Sequence, residues 1–234
     1  HATLAVGMDR TAWYEFTSTR RRVKPYEHAF TSFAKGRWIG RTVLEVLTEE
    51  FPERDAEYIE ATAAAGRLTL NGKPAAAGDR FKSGDRLVHT VDRVEPSVPS
   101  APITLLAIEP DLLAVSKPAG VPVHHAGRYR RNTLVEILQA EHPELGLGGD
   151  ASSSSGLHVL HRLDRQVSGV LLLPRTPSAA AALGEALRDG CMRKRYLSRV
   201  RGFFLQPGHA IAVTAPIRVL SASGRTVTDC HEEG

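Results

Sequence analysis

Along the first half of the chain, hydrophobic residues recur first with the period of a helix and then with the period of a strand. Apolar residues at helical spacing in residues 36–51, GRWIGRTVLEVLTEEF, predict an amphipathic helix that ends before a proline. A second short helix is predicted over residues 54–68, closed by Gly66. The pattern then changes to strand alternation, with a turn at Asn71-Gly72 and a return strand through residues 87–91.

The second half of the chain carries longer apolar runs. Two runs on either side of Pro110-Asp111 predict paired strands, and Asn132-Thr133 is a candidate cap for a helix over residues 133–143. Three further elements are predicted after it: a buried strand in GVLLL (169–173), an Ala-rich helix (176–190) and a basic strand (192–204). The segment GLGGDASSSSG, residues 146–156, has the low complexity of a mobile loop.

These elements predict an α+β protein built from two domains. Residues 1–35 are interpreted as an N-terminal arm, residues 36–94 as a small helix-helix-hairpin domain, and the proline-rich residues 95–102 as a semi-rigid linker. Residues 103–234 form the second domain, for which we expect a mixed, mostly antiparallel sheet with flanking helices.

Composition excludes some classes of protein. The chain has 234 residues, 42% of them hydrophobic, but no apolar run approaches the roughly 20 residues that span a bilayer. Its two cysteines have no metal-ligand spacing and form no disulfide framework, which favours a reducing intracellular compartment. The first residue is His, so a targeting peptide is not visible, and mitochondrion and cytoplasm both stay open.

The charge distribution favours nucleic acid as a partner. The formal net charge is +4, and basic residues concentrate around Arg20–Lys24, Arg128–Arg131 and Arg188–Arg201, each with a tyrosine nearby. Cations for phosphates beside rings for bases are what a polynucleotide site needs. For any one of these clusters, an ordinary solvated surface is an equal alternative.

The stretch HRLDRQVSG, residues 161–169, places Asp164 between two arginines just before the predicted buried strand. Asp164 and His161 are possible metal ligands, although no third ligand with suitable spacing is evident. Asp164 is also interpretable as a structural carboxylate paired with an arginine, or as a carboxylate held ionised for use as a nucleophile or base. Spacing alone does not decide between these.

The small domain resembles an RNA-binding domain first described in a small-subunit ribosomal protein. The resemblance rests on two helices followed by G-R-L-x-L-N-G and G-D-R-L, and the alternative is an unrelated αβ domain. In that family the paired helices present a basic face to structured RNA. The resemblance therefore implies RNA contacts at four positions: Arg37, Arg41, Arg67 and Lys73.

The second domain resembles the RluA-type pseudouridine synthases. HRLDRQVSGVLLL is similar to their signature, and AVSKPAGVPVH (114–124), GRYRRNTLVEIL (127–138) and RKRYLSRVRG (193–202) are similar to family segments in the same order. VKPYEHAF followed by KGRWIGRTVLEVL resembles the preamble of the eukaryotic branch that modifies tRNA and related RNAs. A valine at position 167 replaces the threonine usual in the family.

The resemblance implies an isomerase of RNA uridines that needs no cofactor and no metal. In this resemblance Asp164 matches the family's essential aspartate, Arg162 matches the arginine that holds the flipped base out of its helix, and Tyr196 matches the tyrosine that stacks on the flipped uracil. RNA contacts are expected at Arg128, Arg130, Arg165 and Lys194. The expected partner is tRNA or rRNA, with a ribosomal assembly intermediate as a further candidate and no membrane.

One family feature is missing. A later Gly-Arg-Thr-His-Gln-Ile-Arg segment has no match, since GRTVTDCHEEG (224–234) shares only its first three letters and comes too early. We therefore expect the C-terminal part of the catalytic domain to be absent from this sequence. The alternative function is a catalytically inactive RNA-binding or ribosome-assembly factor on the same fold, and a third hypothesis is a hydrolase that uses a metal at His161 and Asp164.

Overall fold

The structure of the chain is a computed structural model that describes residues 10–145, 147, 156–202, 217–222 and 225–230, the last two segments as backbone. The chain forms two compact units, residues 1–192 and 193–234. Helices and antiparallel strands are both present, which confirms the α+β class.

The described elements follow the chain in this order. The strands are β1 (Tyr14–Phe16), β2 (Arg20–Val23), β3 (Tyr26–Phe33), β4 (Leu68–Leu70), β5 (Lys73–Pro74), β6 (Arg86–Arg93), β7 (Val98–Pro99), β8 (Thr104–Ile108), β9 (Leu112–Lys117), β10 (Gly169–Pro174), β11 (Ile217–Ala222) and β12 (Arg225–Cys230). The helices are α1 (Val43–Glu50), α2 (Ala56–Ala64), α3 (Leu134–Glu141) and α4 (Pro177–Arg188), with 3-10 turns at Arg10–Trp13, Gly36–Trp38 and Pro143–Leu145.

In the first unit these strands form three sheets, ordered β1-β2-β7, β3-β6-β4-β5 and β10-β9-β8. In the second unit, β11 and β12 pair with each other. Every strand pair in the described ranges is antiparallel, so the parallel pairing implied by a mixed sheet is not found there. Direct neighbours such as β8 and β9 need only a short turn, and that favours antiparallel pairing.

Several turns and caps form where the sequence predicts them. Asn71 and Gly72 have φ values of 53° and 81°, the left-handed pair that a tight hairpin turn requires. Thr133 caps α3 by accepting a hydrogen bond from the amide of Glu136, and Pro110-Asp111 lies in the turn between β8 and β9. Each of these signals acts over two to four residues, which is why the sequence alone reveals them.

The first predicted helix is shorter than expected. Residues 36–38 form a 3-10 turn, and α1 begins only at Val43. Thr42 caps the start of α1: its hydroxyl accepts from the amide of Glu45 at 3.1 Å, and the Glu45 carboxylate accepts from the amide of Thr42 at 2.8 Å. This reciprocal cap fixes the helix start and leaves Ile39 exposed.

Two hydrophobic cores support the first unit. One lies between α1, α2 and their sheet, around Trp38, Leu68 and Phe81. The other joins β9, β10 and α3 to residues from both the predicted arm and the predicted linker, including fully buried Val98. The arm and linker are therefore packed segments with strands of their own, and the domain boundaries themselves remain predictions.

The basic strand predicted over residues 192–204 is wrong in its described part. Residues 191–202 contain no strand. The apolar residues of this segment, Tyr196, Leu197 and Val200, do not alternate with period two, and all three are exposed. Nearly all of the 146–156 segment lies outside the described residues, so the loop predicted there stays a prediction.

Candidate functional site

The loop of residues 161–168 is held from beneath and presents its charged side chains outward. Leu163 packs against the larger core, and the amide of Leu172 donates to Nε2 of His161 at 3.2 Å. A turn closes the loop where the amide of Val167 donates to the carbonyl of Asp164 at 3.0 Å. With Leu163 directed inward, its neighbours Arg162 and Asp164 are exposed.

Lys117, at the end of β9, lies under this loop. Its side chain is fully buried, and its Nζ donates to the carbonyl oxygens of Val121 at 2.8 Å, Pro118 at 3.0 Å and Arg165 at 3.2 Å. Burial lowers the pKa of Lys117 to about 8, and the nearby Asp164 carboxylate opposes that shift. At neutral pH the ammonium therefore joins two loops and attracts the exposed carboxylate.

The glycine of the Lys-Pro-Ala-Gly segment makes this junction possible. The amide of Gly120 donates to the carbonyl of Arg165 at 2.6 Å, and its φ of +90° lies in the left-handed region. A Cβ at this position would lie 2.7 Å from Cγ of Pro99. Glycine is thus required both by the backbone conformation and by the close approach of β7.

An open cavity of about 320 Å³ lies beside the loop. This volume is at the lower end of the roughly 300–1,000 Å³ of small-molecule sites. Nη1 of Arg165 donates to the hydroxyl of Tyr129 at 3.3 Å, so the 161–168 loop and the 126–131 loop meet there. The lining residues are Pro122, Val123, His124, Ala126, Gly127, Tyr129, Arg162, Leu163 and Arg165.

The buried carboxylate of Glu95 anchors the end of the 126–131 loop, which contributes residues to the cavity lining. Glu95 accepts from the amides of Arg130, Arg131 and Asn132 at 2.9 Å each, and from the Tyr26 hydroxyl at 2.6 Å. Burial alone raises the pKa of Glu95, but these hydrogen bonds outweigh it and keep the pKa below the usual glutamate range. Glu95 thereby fixes the backbone of residues 130–132 just before α3.

Among the predicted site residues, Arg162, Asp164 and Arg165 lie together on the exposed loop. Arg128 and Arg130 flank Tyr129 on the loop across the cavity. Lys194 and Tyr196 belong to the second compact unit, so their predicted place beside Asp164 stays a prediction.

The arginines predicted to face RNA on the small domain are compensated by carboxylates. Arg41 contacts Glu49 at 2.6 Å and Arg67 contacts Asp92 at 2.8 Å. The Nε of Arg37 donates to Glu50 at 2.8 Å. Lys73 lies exposed on β5. Exposed ion pairs are weak, so these cations stay available to an external anion, but their net field is reduced.

Two alternatives for Asp164 gain no support from the geometry. Within the described residues its carboxylate forms no ion pair with an arginine. In the same part of the chain no three His, Cys, Asp or Glu side chains lie close enough to hold a metal ion. His161 instead accepts a main-chain hydrogen bond, which gives its ring a part in shaping the loop.

Sequence reasoning did not single out Lys117 or Glu95 as site residues, and it noted Tyr129 only as the ring beside a basic cluster. Lys117 stands in the quoted Lys-Pro-Ala-Gly segment, and a lysine ending an apolar strand is a usable signal, because a buried lysine needs partners. Tyr129 lies inside a basic cluster. Glu95 gave no signal, since its amide partners lie 35 to 37 residues further along the chain and Tyr26 lies 69 residues before it.

No helix in the described ranges is both long and apolar enough to cross a membrane. The described residues bring cations and an exposed carboxylate together on a loop that borders an open cavity. That combination suits a polyanionic substrate with a reactive centre small enough for the cavity.

Comparison with known proteins gives this arrangement a family. The family model for RNA pseudouridylate synthase matches residues 111–228, half of the chain. Pseudouridylate synthase RPUSD2 of Homo sapiens is 40% identical over 209 residues, which cover 89% of this chain and 36% of the relative. RNA pseudouridine synthase 7 of Arabidopsis thaliana is 36% identical over 222 residues, 94% of this chain and 53% of the relative.

A third relative, the mitochondrial tRNA pseudouridine(32) synthase of Saccharomyces cerevisiae, is 32% identical over 200 residues, 86% of this chain and 40% of the relative. The chain thus spans about a third to a half of the length of these curated relatives. Because the family model covers half of the chain, and includes Lys117, the cavity loops and Asp164, the chain belongs to the RNA pseudouridylate synthase family.

Proposed function

We propose that the protein is an RNA pseudouridine synthase that isomerises specific uridines in structured RNA. The observation that carries this proposal is that Arg162 and Asp164 are both exposed on one loop, which Lys117 holds from beneath and which borders an open cavity. A flipped base needs a site that is accessible from outside and rigid underneath, and this arrangement offers both.

Asp164 is proposed as the essential carboxylate. In the reaction the N1–C1′ bond of uridine breaks, the base rotates, and a C5–C1′ bond forms while the C5 proton leaves and N1 becomes protonated. Asp164 either attacks the sugar or removes a ribose proton. The Lys117 ammonium, whose pKa responds to Asp164, supplies a buried positive charge on the protein side of the carboxylate. No cofactor is needed for these steps.

Arg162 and Tyr196 are proposed to handle the flipped base. Leaving the stack costs a few kcal/mol, so a group that fills the vacated place lowers that cost. Arg162 lines the cavity and forms no ion pair in the described residues, which leaves its guanidinium available for this role. Tyr196 is proposed to stack on the uracil, with Lys194 contacting the RNA backbone or the loop.

The proposed partner is tRNA or rRNA. Yeast relatives are named for uridines 32 and 31 of tRNA, and a Xanthomonas campestris relative is named for the large ribosomal subunit. A mitochondrial relative and others without that label keep mitochondrion and cytoplasm as the two proposed compartments. RNA contacts are proposed at the arginines around the cavity and on the small domain, including Arg37, Arg41 and Arg67.

Unmodified tRNA and rRNA transcripts test the function and the role of Arg162 together. The parent protein is expected to form pseudouridine in at least one transcript. Arg162→Ala is expected to slow the conversion about 100-fold, corresponding to a flipping cost of a few kcal/mol that is no longer offset. A fluorescent base analogue at the modified position is expected to stay quenched in the stack with this variant.

Arg86→Ala is the matched control, because it removes an exposed arginine from β6 and not from the cavity. Conversion by Arg162→Ala at the parent rate would contradict its role. A parent protein that binds all transcripts and modifies none would instead support the alternative of an inactive RNA-binding factor.

A further inference from the structure

A row of aromatic rings lies along one face of β3. Tyr26, His28 and Phe30 alternate along the strand, so their side chains project from the same face. The ring centroids of Tyr26 and His28 are 6.4 Å apart, and those of His28 and Phe30 are 4.5 Å apart with edge-to-face geometry. Phe30 is nevertheless 43% exposed, which leaves an aromatic surface open at the end of the row.

Cations surround this row. Arg93, paired with Tyr26 in the β3–β6 register, places its guanidinium 5.5 Å from the ring centroid of Phe30. The guanidinium of Arg131 lies 3.6 Å from the centroid of Tyr26. Burial, followed by the charges of Arg130, Arg93 and others, lowers the pKa of His28 to about 4, so its ring is neutral at pH 7. The positive charge on this face is therefore carried by arginines.

The arginines around this row have fewer carboxylate partners than Arg41 and Arg67 of the small domain. Within the described residues Arg93, Arg128 and Arg130 form no ion pair. Glu95, which accepts from the amide of Arg130, is buried and is already engaged by amides and a hydroxyl. The field of this face is consequently available to an external anion.

The face is continuous with the cavity. Arg93 donates to the carbonyl of Arg128 at 3.1 Å, and the same 126–131 loop contributes Ala126, Gly127 and Tyr129 to the cavity lining. A polynucleotide that enters the cavity with one nucleotide therefore has the row of rings next to it.

We propose that the β3 aromatic face, defined as His28, Phe30, Arg93 and Arg130, binds an unpaired nucleotide of the RNA substrate. The base stacks on Phe30, and its phosphate is neutralised by Arg93 and Arg130. The identity of the ligand as RNA rests on the proposed function, and the inference adds a preference for single-stranded segments beside the target. Only unpaired bases expose the ring face that stacking requires, and this contact is tolerant of sequence.

Binding of a 12-nucleotide oligouridylate, compared with an RNA duplex of equal length, tests the stacking contact. Phe30→Leu keeps an apolar side chain but removes the ring, and is expected to weaken oligouridylate binding about 5- to 150-fold with little change for the duplex. Phe33→Leu is the matched control: Phe33 is on the same strand and 66% exposed, but projects from the opposite face. Equal losses for both variants, or none for Phe30→Leu, overturn the proposal.

Tryptophan fluorescence tests the same stacking contact even if Phe30→Leu does not fold. In Phe30→Trp the introduced indole is expected to be quenched when oligouridylate is added, whereas in Phe33→Trp it is not. The native Trp13 and Trp38 are buried and contribute a constant background. Absence of quenching in Phe30→Trp overturns the proposal.

The phosphate contact has its own measurement. Arg93→Gln is expected to reduce the slope of log affinity against log salt by roughly 0.7 for the single strand. Arg86→Gln, seven residues earlier on β6 and therefore on the other face, is expected to leave the slope unchanged. Equal slopes for Arg93→Gln and the parent overturn the phosphate contact.

These readouts separate the surface from the catalytic function. If Phe30→Leu loses oligouridylate binding but the parent forms no pseudouridine, the proposed function is contradicted and the nucleotide-binding face is supported. If the parent forms pseudouridine but Phe30→Leu binds oligouridylate like the parent, the nucleotide-binding face is contradicted and the proposed function is supported.

Discussion

Asp164→Asn is expected to abolish pseudouridine formation, with a loss of at least about 10³-fold, while RNA affinity changes by less than about twofold. Asparagine has nearly the same shape but neither attacks a sugar nor accepts a proton. The Asp164 side chain is exposed and forms no ion pair in the described residues, so the exchange removes the chemistry and leaves the fold. Affinity is expected to persist because phosphate contacts carry most of it.

The measurement is single-turnover conversion of a tRNA or rRNA transcript, together with a binding titration at fixed salt. Asp111→Asn, an exposed aspartate in the turn between β8 and β9, is the matched control and is expected to behave as the parent. Near-normal turnover by Asp164→Asn would remove the catalytic assignment of this residue. A large loss of affinity would show instead that the carboxylate orders the binding surface.

Glu95→Gln is expected to lower the free energy of unfolding by about 2–4 kcal/mol, because the side chain is buried among donors. Glu95 accepts from three consecutive amides and the Tyr26 hydroxyl. A glutamine keeps one acceptor oxygen but turns an NH₂ group toward N–H donors, and it also loses the charge. Urea denaturation at pH 7 measures the effect, and Glu109→Gln, exposed in the turn between β8 and β9, is its control.

The pH dependence of this difference follows from the lowered pKa of Glu95. A carboxyl group whose pKa is lower in the folded state stabilises the fold above its unfolded pKa, roughly 4.3, and loses that contribution as pH falls through the folded value. The parent and Glu95→Gln are therefore expected to differ fully at pH 7 and to converge as the pH falls below the unfolded pKa and through the lower folded pKa. A constant difference down to pH 3 would show that hydrogen-bond geometry, rather than charge, is responsible.

The sequence predicted those parts of the fold whose signals are local. The Asn71-Gly72 turn, the Thr133 cap and the Ala-rich helix α4 each depend on a few neighbouring residues, and all three are confirmed. The start of α1 was missed because apolar residues at helical spacing continue before Thr42, so the pattern did not show that the helix begins after this cap. The basic strand was wrong because its apolar residues lacked the period that a sheet requires.

The candidate site was predictable as a set of motif residues but not as an arrangement. Arg162, Asp164 and Arg165 come from one continuous motif, whereas the contact between Lys117 and Arg165 joins residues 48 apart. The ion pairs of Arg41 and Arg67 depend on which carboxylates the helix and strand registers bring near. Such contacts follow from tertiary packing, which composition and spacing do not specify.

Pseudouridine mapping across all cellular RNAs tests whether the protein isomerises RNA uridines through Asp164. RNA from cells lacking the gene is compared with RNA from cells that express the parent protein or Asp164→Asn at equal levels. We expect a discrete set of tRNA or rRNA uridines to lose modification without the gene, to regain it with the parent, and to stay unmodified with Asp164→Asn. An identical pseudouridine map in all three cell lines, or full restoration by Asp164→Asn, would contradict the account.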